Sequence, residues 1–269
     1  MKLFIEGIGL LAPGLSGWPA SQDVLAGIIP YQGTLTPLPM ATLLPSNERR
    51  RAPEIVRVAL AVGLEALTSS QRNPAQLPAV FASSGGEGNT IHEIMCTLAD
   101  AEPALSPTHF HNSVHNVCAG YWSIATGSHQ ATTSVCAYDG SFAAGLLEAG
   151  AQAQISGAAL LIAYDMPYPA PLGDIRSIGA PFFGIAFVLA SAPSPMSVAC
   201  LSMATGTETE PTLVPNPSLE VLRRHTPAAR CLPLLCALAE KQPQVVVLDY
   251  LPGYSLPLEI SFINSLGEK

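Results

Sequence analysis

Charged side chains are scarce in this sequence. Only 12% of the 269 residues are Asp, Glu, Lys or Arg, about half the usual fraction. Lys and Arg together number 12, and the net charge is −8. A nucleic-acid-binding chain needs a basic face to neutralise phosphates. The one basic cluster is Glu48-Arg-Arg-Arg51, which reads as a helix-entry or interface feature, so nucleic acid is not an expected partner. The six cysteines (Cys96, Cys118, Cys136, Cys200, Cys231 and Cys236) form no CxxC pair. In a chain this large, that argues against a disulfide framework and for reduced, mostly buried thiols in the cytoplasm. No run of about 18 uncharged apolar residues reads as a membrane span once Gly and Pro are allowed for. The start, Met-Lys-Leu-Phe-Ile-Glu-Gly, is interrupted by Glu6 and closed by Pro13, so it reads as a strand and not a signal peptide.

What is abundant is apolar: 48% of residues are hydrophobic. So few charges make a surface of ordinary polarity hard to build. Either much of the chain is packed inside, or part of its surface is covered by another subunit.

The pattern of elements is α/β. Leu3 to Ile8 reads as a strand, Glu54 to Leu67 as a largely buried helix, and Ala79 to Ser83 as a short strand running into a Gly-rich turn. Asn116 to Thr126 reads as a helix that Gly127 can cap. A strand over Ala131 to Cys136 then leads through a turn at Asp139 into a helix over Gly140 to Gln152. Ala158 to Tyr164 and Phe183 to Leu189 are continuous apolar strands, as in a sheet covered on both faces. Beyond Ser191 come a strand over Val198 to Ala204, a proline-rich loop from Thr205 to Pro217, a helix over Ala228 to Lys241 and strands at Val245 to Tyr250 and Leu258 to Ile263. Pro233 makes the first turn of that helix irregular. The expected divisions are 1–192 and a reduced β-α-β portion, 193–269.

Three segments invite chemistry. Gly85, Gly86 and Gly88 match neither GxxxxGK[ST] nor GxGxxG, and no lysine follows, so a strand-ending turn explains them better than a phosphate loop. Thr108-His-Phe-His-Asn-Ser-Val-His-Asn116 holds three histidines. On a strand, His109 and His111 would share a face, but the segment supplies no Asp, Glu or Cys to complete a zinc site. Polar lining of an interface or cavity is the better reading. Asp139 sits on a strand-turn-helix bend, where it could cap the helix. It could also be the nucleophile of a small acyl-thioester hydrolase or acyltransferase, as could Cys136 with a histidine from 109–115. The flanking Ala137 and Ser141 are not the glycines such elbows prefer.

A family resemblance adds a further reading. Leu3-Phe-Ile-Glu-Gly-Ile-Gly-Leu-Leu-Ala-Pro13 resembles the opening strand and turn of β-ketoacyl synthases of the thiolase fold. Asn116-Val-Cys-Ala-Gly-Tyr-Trp-Ser-Ile124 resembles their NxxAGxxxI helix. On that resemblance, counted from Gly120 without a gap, the active-site cysteine falls on Asp139. A carboxylate there is a poor substitute, because attack on a thioester would give a high-energy anhydride. The nearest counterpart to the first catalytic histidine turn is Pro252-Gly-Tyr-Ser-Leu-Pro257, with Pro252 at the histidine.

The resemblance therefore implies a layered α-β-α thiolase-like fold with a complete N-terminal half and a truncated C-terminal half. It also implies a non-catalytic chain-length factor of the truncated aryl-polyene or type II polyketide kind. Such a subunit pairs with an active ketosynthase, meets acyl carrier protein through the complex, and uses no cofactor, metal, membrane or nucleic acid. The resemblance implies that Thr108, His109, Phe110, His111, Val114, His115, Asn116 and Cys118 lie at the subunit boundary and acyl tunnel. Asp139 would be a helix cap, and Cys118 and Cys136 packed thiols. A free-standing acyl-binding module is the remaining alternative.

Overall fold

The computed structural model describes residues 1–204, 206, 207 and 209–263. The chain opens with β1 (Lys2–Ala12) and β2 (Leu15–Ser16), then α1 (Trp18–Leu25), α2 (Ser46–Arg51) and α3 (Glu54–Ser70). Next are β3 (Ala79–Ala82), α4 (Gly88–Ala99), α5 (Pro107–Asn112), α6 (Val117–Thr126) and β4 (Thr132–Val135). They are followed by α7 (Ser141–Ser156), β5 (Ala158–Asp165), α8 (Leu172–Ile175) and β6 (Phe183–Ala190). The last stretch holds β7 (Ala199–Met203), β8 (Gly206–Thr207), α9 (Pro217–His225), α10 (Leu232–Glu240), β9 (Gln244–Leu251) and β10 (Tyr254–Phe262).

The strands join in one sheet with the order β4-β3-β5-β6-β1-β7-β10-β8, and β9 pairs with β10. β4, β3 and β5 run parallel, as crossover helices require. β6 is antiparallel to both β5 and β1, and β7 is antiparallel to β1. Every residue of β5 and β6 is buried, because helices cover both faces. One core packs α7, α10 and the 3₁₀ turn Pro227–Cys231 against alternate residues of β1, such as Leu3, Ile5 and Leu10. The other packs α3 and α6 against the opposite face, around Phe81, Trp122 and Val188. This is the expected α-β-α layering.

Two elements correct the sequence expectations. The 108–116 segment is not a strand: Ser106 accepts from His109 N–H and Pro107 enters the first turn, so Pro107–Asn112 is helical. The helix expected over 228–241 begins as the 3₁₀ turn, and α10 follows with Pro233 in its first turn, where no hydrogen bond is lost. The C-terminal strands extend the main sheet, since β7 pairs with β1, β10 with β7 and β9 with β10.

Glu6 is the one carboxylate inside β1. Its side chain is fully buried, at the register shift between Ile5 and Gly7. Arg72, just past α3, donates to both of its oxygens at 2.7 and 2.8 Å, and Ser194 also donates to it. Removing the arginine leaves a buried charge without its counterion. Arg72→Ala is expected to lower stability by about 2–3 kcal/mol, just below the range for fully buried pairs because Arg72 is partly solvated. Urea denaturation checks this, and an unchanged midpoint would contradict it.

Candidate functional site

The site is built on the turn between β4 and α7. Residues Tyr138–Gly140 form a single 3₁₀ turn, with Tyr138 in the left-handed region at φ 52°. Ser141 closes the turn: its hydroxyl accepts from Ala137 N–H and donates to Tyr138 C=O. Gly140 is required there, since a Cβ would fall 2.2 Å from the carbonyl oxygen of Tyr250 on β9. The β9–β10 hairpin thus packs directly over the turn.

Asp139 does not cap the helix. The N-cap position of α7 is Gly140, and no side chain caps it. The Asp139 carboxylate instead accepts from two arginines, Arg176 at 2.9 Å on Oδ1 and Arg230 at 3.0 Å on Oδ2. Arg176 follows α8 and Arg230 lies in the turn before α10, so two separate segments further along the chain each bring a cation to the turn. Arg230 continues to Asp249 on β9 at 3.1 Å. Asp249 also binds Arg223 of α9, which with Arg224 grips Glu220 at 2.8 and 2.6 Å. A carboxylate neutralised this way has its lone pairs committed to guanidinium groups and is a weak nucleophile.

Beneath this network lies a second anchor. Asp165, at the end of β5, is buried and accepts from Ser84 N–H, the Ser83 and Ser84 hydroxyls, and Ala228 N–H across the fold. Desolvation raises its pKa, and these hydrogen bonds oppose the rise. Ser84 also bonds the Tyr168 hydroxyl at 2.8 Å. Tyr168 lies on the Gly-rich turn so closely that a Cβ at Gly85 would fall 2.2 Å from its oxygen. The α4 N-terminus is capped internally, since Glu87 accepts from Thr90 N–H. These contacts account for the Gly-rich turn without phosphate.

The family model of the β-ketoacyl synthase N-terminal domain matches residues 30–247. The chain belongs to this family. The match runs through α9, α10 and the first half of β9. No curated protein matches the chain. Among solved structures it is similar to a chain of a ketosynthase (ApeO) in complex with its chain length factor (ApeC) from Xenorhabdus doucetiae. The TM-score is 0.73 and the identity 23%, over 96% of this chain and 99% of that one. A chain of the ishigamide ketosynthase/chain length factor gives a TM-score of 0.72 at 13% identity, over 98% and 100%. A chain of the type II polyketide synthase complex AntDE:AntF gives 0.72 at 10% identity, over 97% and 99%. The fold is that of the ketosynthases.

The residues singled out in the sequence are distributed unevenly around this ketosynthase turn. Pro252 lies in the β9–β10 hairpin turn and lines the same cavity as Asp139, of about 630 Å³. Cys136 is exposed rather than packed, and its thiol donates to Ser84 C=O at 3.2 Å. Cys118 is buried, and burial pushes its thiol up to about 12. His109 pairs with Glu93 at 3.4 Å, His111 meets Tyr121 edge-on, and His115 lies beside the Gly86 turn. Thr108 is half-buried, Phe110 and Val114 are exposed, and Asn116 ends the segment at the α6 N-terminus without a side-chain cap bond.

Two features had no counterpart among the expected residues. One is the arginine pair on Asp139. The other is α4, where only Thr90 is buried while Ile91, Met95 and Leu98 are exposed, Met95 by 62%. Their spacing puts them on one helix stripe, and that spacing is visible in the sequence. With Tyr168, Leu172 and Ile175, Ile91 and Met95 border an apolar cavity of about 580 Å³.

The ion network makes a pH prediction. Hydrogen bonding to Arg223 holds Glu220 down to about 2, against the effect of burial, with Val214 N–H and Arg224 assisting. A depressed carboxylate contributes stability that is present above its ordinary pKa and is lost as pH falls through the folded value. Stability is expected to drop between pH about 4.5 and about 2. Glu220→Gln should be less stable at pH 6 and show a shallower decline across that window. Equal slopes for the two proteins in urea denaturation at stepped pH would refute the assignment.

Proposed function

We propose that this chain is a non-catalytic chain-length factor. It pairs with an active β-ketoacyl synthase and shapes that partner's acyl or polyene tunnel, in aryl-polyene or type II polyketide and fatty-acid-like biosynthesis. The observation that carries the reading is Asp139. At the position where the family resemblance puts the nucleophilic cysteine, the side chain is a carboxylate bound by two guanidinium groups. A ketosynthase nucleophile must attack a thioester and then release the acyl group to a carbanion, and an ion-paired carboxylate does neither. The chain shapes a condensation that its partner carries out. The same pairing speaks against a hydrolase that uses Asp139, and the Cys136 thiol is directed at a backbone carbonyl rather than an imidazole.

Partnership is supported by the surface. α4 has a stripe of exposed apolar side chains and one buried residue, an arrangement that a helix of a free-standing globular protein rarely keeps. It packs with α5, which adds Phe110 at 68% exposure. At the end of the sheet, β4 carries no second strand among the described residues, an edge that native proteins protect or pair. The ApeO–ApeC and ishigamide neighbours are ketosynthase/chain length factor complexes by name. The same role is inferred for this chain, with acyl carrier protein reached through the complex. The absence of any helix long and apolar enough to cross a membrane among the described residues is compatible with it.

The test is co-expression with the cognate ketosynthase, sizing of the product, and intact-mass spectrometry during turnover. A heterodimer is expected, with acyl mass added to the partner and none to this chain; a covalent acyl adduct here would sink the reading. Met95→Glu, placing a charge in the covered stripe, should weaken the complex by at least about 30-fold, equivalent to about 2 kcal/mol. Phe110→Ala should lengthen the products made by the intact pair, and unchanged lengths would remove α5 from the tunnel.

A further inference from the structure

Tyr138 borders three cavities at once. The cavity over Asp139 (about 630 Å³), the apolar cavity beside α4 (about 580 Å³) and a smaller cationic one near Arg224 and His225 (about 320 Å³) all include it in their walls. The ring is held by a neighbour. The Arg176 guanidinium carbon lies 3.4 Å from the ring centroid, a flat cation–π stack. Arg176 itself forms part of the wall of the apolar and the cationic cavities. The stacked pair therefore stands between the apolar groove and the two neighbouring cavities.

The partition is propped from behind. Arg176 Nη2 donates to Asp139 Oδ1 at 2.9 Å. Burial disfavours its charge, but hydrogen bonds with Tyr168 and Asp139 outweigh this and raise its pKa, so the cation persists across the accessible pH range. Tyr138 is also one of three non-glycine residues at positive φ among the described residues. A bulky aromatic kept in the left-handed region is a strained choice, of the kind that clusters at ligand clamps and switch regions.

We propose that Tyr138 is the specificity-determining end wall of the apolar groove between α4 and the Tyr168–Ile175 segment. It sets the longest unbranched acyl chain that the groove admits. Asp139 is its positioning residue, acting through Arg176. The proposal rests on the chain-length reading above and deepens it: the side chain at the nucleophile position keeps a task, which is to hold the wall.

Two measurements test it. In the first, the purified chain binds a homologous series of saturated fatty acids, C6 to C18, by displacement of a fluorescent acyl probe. The wild type should show affinity that rises with length and then stops rising. Tyr138→Gly, which relieves the positive-φ strain and so keeps the fold, should move that break to longer chains. Tyr138→Phe, which keeps the ring, should leave it in place. Asp139→Ala should move it in the same direction as Tyr138→Gly, and Asp139→Glu should restore it at least in part. In the second, the same variants are co-expressed with the ketosynthase and product length is read by mass spectrometry, with at least one two-carbon unit added by Tyr138→Gly. A break that stays put in Tyr138→Gly and Asp139→Ala, or no chain-length dependence in the wild type, overturns the wall. A break that moves while products from an intact heterodimer keep their length leaves the wall standing and overturns the chain-length function.

Discussion

The Asp139 carboxylate ties together parts of the chain that lie far apart in sequence. It sits on the turn after β4, and its two partners are 37 and 91 residues further on. Through Arg230 the connection reaches Asp249 on β9, and through Asp249 it reaches Arg223 and Glu220 on α9. Asp139 is 41% exposed, so each of its pairs taken alone contributes at most about 1 kcal/mol. The contribution to geometry is larger. Four of the 12 basic residues of the protein, Arg176, Arg223, Arg224 and Arg230, are committed to this one network. In a chain so poor in charge, that commitment leaves few cations for the rest of the surface. The bare α4 stripe is the other side of the same distribution.

Much of the scaffold was legible because it depends on short-range pattern. β5 and β6 are continuous apolar runs, and only a sheet covered on both faces accommodates them. α3 and α6 end at Gln71 and Gly127, both left-handed, and Gly127 was readable as a cap. α5 was obscured by the alternation of His109 and His111, which suggests period two. The Ser106-Pro107 pair that starts a helix was nevertheless present. In α4, after the glycine cluster, Ile91, Met95 and Leu98 have helical spacing, but nothing in that spacing says that the stripe faces outward. The ion network could not be read at all: no local rule links residue 139 to residues 176 and 230, and only the closed fold brings them within 3 Å.

Asp165 shows how two anchors divide the work. Its four donors come from the β3 end and from Ala228, so it joins the first half of the sheet to the turn that carries Arg230. Arg230 is thus placed from below by a fully buried carboxylate and gripped from above by Asp139 and Asp249. Loss of the upper grip would leave the backbone of the 3₁₀ turn fixed, because Asp165 holds it through main-chain N–H. The charged network therefore governs side-chain positions at the turn, while the buried one governs the fold around it.

This division bears on the groove. One wall is Tyr138 and Arg176, positioned by ion pairs and a stacked ring. The facing wall is Ile91 and Met95 on α4, a helix with a single buried residue. The first wall is defined within the chain. The second has little of its own packing to define it, and apolar surface of that kind is stabilised when another surface covers it. A cavity built this way has a fixed end and a side with little packing behind it. On the chain-length reading proposed above, an aspartate at the nucleophile position that recruits two arginines has two effects: it supplies no thiol to carry an acyl group, and it anchors the end of the cavity that an acyl chain would meet.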